Sequence, residues 1–73
     1  MEKLTERQTE IYQWLRSQIV DNHLPPTLKE IADNFEFKNS SGSRYHLRAL
    51  ERKGWIIRIP HQSRNIRLTK EPI

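Results

Sequence analysis

The chain has 73 residues, 34% hydrophobic and 30% charged, with a formal net charge of +4; that is enough for one small domain burying roughly 60% of its unfolded surface, and too little for two. No cysteine is present, which excludes a disulfide framework, thiolate metal ligands and a cysteine nucleophile. No apolar run reaches the length of a signal or membrane segment, so the expected compartment is the cytoplasm. The charge is uneven: residues 1–36 hold four Lys/Arg against seven Asp/Glu, or −3, and residues 37–73 hold nine against two, or +7. The cationic half suits a polyanion, with a solvated charged face as the competing reading.

In chain order, Thr5-x-x-Gln8 is a capping box that opens a first helix over residues 6–21, with Glu6 placed for the helix dipole. Ile11, Leu15 and Ile19 form its apolar stripe, Tyr12 and Trp14 flank it, and Leu4 packs back as a hydrophobic staple. Asn22-His23-Leu24-Pro25-Pro26 breaks the helix, because a residue before proline is pushed out of the α region. A second capping box, Thr27-x-x-Glu30, opens a helix over 28–35 with Leu28, Ile31, Ala32 and Phe35 at helical spacing. Losing such a cap costs about 1 kcal/mol.

Asn39 or Ser40 caps a third helix over 41–53, with Gly54 at the left-handed position after its end. Ser43, His46, Leu47 and Leu50 share its inward face, and Ser41, Arg44, Tyr45, Arg48 and Arg52 share the opposite one. Gly42 weakens the first turn by up to about 1 kcal/mol and either allows close approach to another surface or marks a flexible terminus. Trp55–Ile59 and Asn65–Thr69 have β patterns around a turn at Pro60–Arg64. The expected fold is therefore mainly α with a small β-hairpin, a winged helix-turn-helix of three helices plus a two-stranded wing. It forms a single domain over residues 1–73, with 70–73 frayed.

Five blocks carry a family resemblance: Leu4-Thr5-x-Arg7-Gln8, Pro25-Pro26-Thr27-x-x-Glu30-Ile31-Ala32, Phe37, His46-Leu47-x-x-Leu50-x-x-Lys53-Gly54, and Ser63-Arg64-x-Ile66-Arg67-Leu68. Over about residues 4–68 the chain resembles the N-terminal DNA-binding domain of the LexA family, repressors of the bacterial SOS response to DNA damage. The resemblance implies a winged helix that binds a double-stranded operator as a dimer, with the recognition helix in the major groove and the wing beside the minor groove. It also implies a bacterial, nucleoid-associated protein. The family's C-terminal serine–lysine dyad and Ala-Gly cleavage bond do not occur in these residues, so autocleavage is not carried over. Dimerisation is likewise not carried over, and pairing on DNA or through a missing C-terminal domain of the family's kind stays open. Glu36 stands where the family usually has glycine, which strains a left-handed position by about 1 kcal/mol and loosens the turn. Positions 39, 41, 42, 44 and 45 depart from the acidic pattern of well-known members, so the operator sequence does not transfer.

Phosphates supply affinity and base edges supply specificity, so the exposed residues sort into two groups. Base reading falls to Asn39, Ser41, Gly42, Arg44, Tyr45 and Arg48, with the Arg44 and Arg48 forks suited to guanine O6 and N7. Backbone contacts fall to Thr27, Leu28, Arg52, Lys53, Ser63, Arg64 and Arg67. Helix stabilisation is a second role for Arg52 and Lys53. If about six cations neutralise phosphates, log K falls against log salt with a slope near five. The expected function is a sequence-specific repressor module. The alternative is a protein-interaction module anchored by Trp14, Tyr12 and Tyr45, and a third reading is double-stranded RNA or nonspecific DNA binding. His23, His46 and His61 lie far apart without ligand-type partners, so no metal, cofactor, small-molecule ligand, membrane contact or enzymatic activity is expected.

Overall fold

Each of the three helices begins at a side chain that closes its own first turn. In a computed structural model, which describes residues 2–69, α1 spans Glu6–Asn22, α2 Leu28–Phe35 and α3 Ser40–Arg52. The Thr5 hydroxyl accepts from the Gln8 N–H at 3.2 Å, and the Gln8 side chain accepts from the Thr5 N–H at 3.0 Å. Thr27 and Glu30 repeat the arrangement at 3.1 and 2.9 Å, so both predicted capping boxes are formed. Asn39 caps α3 by accepting from the Ser41 N–H at 2.8 Å.

The helices also stop for identifiable reasons. α1 runs one residue past the expected end and closes on His23 in the left-handed region, φ 59°. α2 ends on Glu36, also left-handed at φ 59°. The turn is closed rather than loose, because the N–H groups of Glu36 and Phe37 both reach the Ala32 carbonyl. α3 ends one residue earlier than expected, and Gly54 follows at φ 90°. Trp55 N–H donates to the Leu50 carbonyl and Gly54 N–H to that of Glu51, each at 3.0 Å, which satisfies the last carbonyls of the helix.

The wing consists of β1, Ile56–Arg58, and β2, Ile66–Leu68, paired antiparallel with Ile57 opposite Arg67. These strands are shorter than the five-residue segments expected, although single bonds from Ile59 to Asn65 and from Thr69 to Trp55 prolong the pairing at each end. Ile56 and Ile66 point into the core with Ile11, Leu15, Ile31, Leu47 and Leu50, all essentially buried. Ile57 and Arg67, one step along each strand, are exposed. Ser43 is buried among these apolar groups, and its hydroxyl donates to the Leu28 carbonyl at 2.9 Å; this bond satisfies the hydroxyl and ties α3 to α2. The frayed end expected at 70–73 lies outside the described residues.

Candidate nucleic-acid interface

The core fixes the rotation of α3, and that rotation decides what the helix shows to solvent. Because Ser43, Leu47 and Leu50 are buried, the residues on the far side, Ser41, Arg44, Tyr45, Arg48 and Arg52, are all exposed. Ser41, Arg44, Tyr45 and Arg48 line one shallow depression of about 150 Å³. Arg44, Arg48 and Arg52 follow at intervals of one helical turn, which makes a cationic stripe. Among the described residues the ion pairs are Arg7–Glu10, Lys29–Asp33 and Arg64–Glu30. The stripe takes part in none of them, and neither does Arg67 on the wing.

Beneath this face runs a row of rings. Trp14 meets Phe35 edge-on at 5.5 Å, Phe35 stacks with Phe37 at 5.9 Å, and Phe37 stacks with His46 at 5.3 Å. Tyr45 then stands edge-on to His46 at 5.2 Å. The Arg7 guanidinium lies 5.0 Å from the Phe35 ring centre and 5.5 Å from that of Phe37. Burial of the His46 ring lowers its pKa below the usual histidine value, and the nearby Arg7 charge lowers it further. Tyr45 is 71% exposed, yet its ring is braced edge-on by the half-buried His46 imidazole.

Several residues expected on the DNA side have internal partners. Gly42 faces inward: a Cβ there would meet the Phe37 ring at 3.0 Å, so the surface it approaches closely is Phe37. Asn39 has its side-chain oxygen engaged as the cap of α3. Thr27 has both its hydroxyl and its N–H in the capping box, which leaves the first-turn N–H groups of Leu28 and Lys29 for an external acceptor. Lys53 donates to the Gln8 side chain at 2.7 Å and the Lys3 carbonyl at 3.2 Å. Arg64 forks onto Glu30 at 2.8 and 2.9 Å and also donates to the Pro25 carbonyl. That fork, followed by the Thr27 N–H bond, holds the Glu30 pKa down at about 2. Ser63 and Arg67 are exposed as expected.

Sequence reasoning missed the second role of Glu30, whose partner lies 34 positions away. It also omitted Lys38, an exposed cation one residue before the cap of α3, which the same charge pattern could have flagged. The proposed protein-binding anchors Trp14 and Tyr12 are half-buried in ring pairs, with Phe35 and Trp55 respectively. Among the described residues no group of three or more His, Asp or Glu could hold a metal ion, and no helix is long and apolar enough to cross a membrane.

The LexA DNA binding domain profile matches residues 1–65. The chain belongs to the LexA DNA-binding domain family. It is 46% identical over 71 residues to the LexA repressor of Shewanella denitrificans, covering 97% of this chain and 35% of that protein. Identity is 45% over 64 residues to the LexA repressor of Anaeromyxobacter dehalogenans, 88% of this chain and 28% of the relative. It is 41% over 68 residues to that of Acidithiobacillus ferrooxidans, 93% and 33% respectively. The chain thus spans about a third of the length of the LexA repressors it matches, and the matched third includes the α3 face.

Proposed function

We propose that this chain is the operator-reading module of a LexA-type transcriptional repressor. α3 enters the major groove of double-stranded DNA, and the wing lies along the adjacent minor groove. The observation that carries this reading is the open face of α3, where Ser41, Arg44, Tyr45 and Arg48 share one depression and the arginines have no ion-pair partner among the described residues. An arginine fork free of carboxylates can pair with guanine, and Arg44, near the start of α3, is the first choice for that contact. Arg48, Ser41 and Tyr45 read or touch neighbouring bases, with the free amide of Asn39 at the edge of the groove. Gly42 contributes by letting α3 settle onto Phe37, which sets the height of the helix rather than touching a base.

Phosphate contacts fall to Arg52, Ser63 and Arg67 and to the N–H groups at the start of α2, beginning with Leu28. Lys53 and Arg64 support those contacts from within. Repression follows from occupancy, because a protein seated on an operator excludes polymerase. The LexA name of the relatives connects this module to the SOS response, with a second copy binding the other half of the operator. One recognition helix buries little surface, so the isolated chain binds a half-site weakly. Selection of duplexes from a random library by the 73-residue chain tests the reading: it expects one enriched half-site motif, repeated at a fixed spacing if two copies bind together. Recovery of unenriched sequence would refute it.

A further inference from the structure

Glu30 serves two parts of the molecule with one carboxylate. Its Oε1 accepts from the Thr27 N–H at 2.9 Å and from Arg64 at 2.8 Å, while Oε2 accepts from the other Arg64 nitrogen at 2.9 Å. Arg64 also donates to the carbonyl of Pro25 at 2.9 Å, and Pro25 and Pro26 are buried. The start of α2 and the turn of the wing, 34 residues apart in sequence, are thereby held on one ionic fork. We propose that the Glu30–Arg64 fork positions the wing for DNA binding, locking it to the start of α2 so that both backbone-contacting segments meet one duplex at a fixed spacing. This inference rests on the DNA-binding reading above.

Two simpler roles fit the geometry less well. As a stabilising ion pair the fork is weak, since the side chains are 36% and 47% exposed and solvent screens such pairs. As a phosphate ligand Arg64 is compromised, because both terminal nitrogens already hold the carboxylate, and a phosphate would have to displace it. A positioning role uses the property the fork has most of, which is directionality: two parallel bonds fix the plane as well as the distance.

The sign of one substitution separates the roles. Glu30→Gln removes a negative charge near the DNA and releases Arg64, so both electrostatics and direct phosphate contact predict equal or tighter binding. The glutamine amide oxygen can still accept from Thr27, so the capping box survives. Positioning predicts weaker binding despite the gain in positive charge. The probe is the duplex enriched by the wild-type chain, read by equilibrium titration, by hydroxyl-radical footprinting and by a thermal melt of each protein.

With positioning, Glu30→Gln loses about fivefold or more in affinity, protection weakens under the wing while persisting under α3, and the melt barely moves. Equal or tighter binding by Glu30→Gln overturns the proposal alone, whereas a wild-type chain that enriches no duplex overturns it together with the DNA-binding reading. Should Glu30→Gln melt early, Arg64→Lys decides, because it keeps the charge and loses the two-point fork. The same wing-specific loss supports positioning, and unchanged binding overturns it.

Discussion

The arginines of α3 and the basic residues on either side of β1, Lys53 and Arg64, are chemically alike and have opposite fates. Arg44, Arg48 and Arg52 stand in solvent without an ion-pair partner among the described residues, while Arg64 is forked onto Glu30 and Lys53 is drawn onto Gln8 and the Lys3 carbonyl. The difference is set by neighbours: among the described residues no carboxylate forms an ion pair with the exposed face of α3, whereas the segments beside Arg64 and Lys53 offer acceptors already oriented by capping boxes. A count of positive charges therefore overstates the interface, since part of the charge holds the scaffold together.

Salt dependence gives the largest test of that division. With at most four arginines, Arg44, Arg48, Arg52 and Arg67, neutralising phosphate charge, log K should fall against log salt with a slope no steeper than about 3.6, so a fourfold rise in salt weakens binding by at most on the order of 100-fold. A slope near five would mean that further cations, Lys38 or the internally bonded Arg64 and Lys53, also reach the DNA. Arg44→Ala comes next: we expect a loss of about 1–3 kcal/mol confined to one position of the selected motif, with the melting temperature unchanged. A uniform loss across all sequences would move Arg44 from base reading to phosphate contact.

The scaffold side of the comparison predicts smaller effects with the opposite signature. Gly42→Leu places side-chain atoms against the Phe37 ring, which is itself held between Phe35 and His46. It should cost about 1–3 kcal/mol of stability in denaturant melts; an unchanged midpoint would mean that the ring row yields freely.

The smallest effect concerns His46. Its folded-state pKa is lowered by burial and by Arg7, so the unfolded chain binds a proton that the folded chain resists. Its contribution is fully present above its ordinary value of 6.5 and is lost as pH falls through the lowered one. Glu30 runs in the same direction but lower, its contribution being lost between 4.5 and about 2. Denaturant midpoints at about pH 7 and about pH 5 should therefore differ in the wild type and converge in His46→Gln. A drop of the same size in both proteins would assign it to another group.

Sequence legibility followed the range of each interaction. Both capping boxes were readable because donor and acceptor lie three residues apart, and helical spacing assigned Leu47 and Leu50 to the core for the same local reason. The left-handed Gly54 was readable as well, since a helix of this length needs a stop and glycine supplies it. The strand ends were overextended by one residue on each side, because β preference continues where the paired ladder narrows to single bonds. The partners of Arg64 and Lys53, 34 and 45 positions distant, were not readable, because nothing local distinguishes a cation that meets a carboxylate in the fold from one that does not. Gly42 lay between these cases: close approach was one of two roles legible for it, and the approaching surface, Phe37, was not legible.

Trp55 gathers both limits of the described chain. Its indole N–H donates to the Glu2 carbonyl at 2.6 Å, and its own carbonyl accepts the Thr69 N–H at 3.4 Å. One tryptophan thus ties the first described residue, Glu2, to the last, Thr69. The domain therefore lends itself to being rewired: joining Glu2 to Thr69 by a short bridge and opening the chain at the exposed Gln62 would yield a permuted chain with α3 uninterrupted.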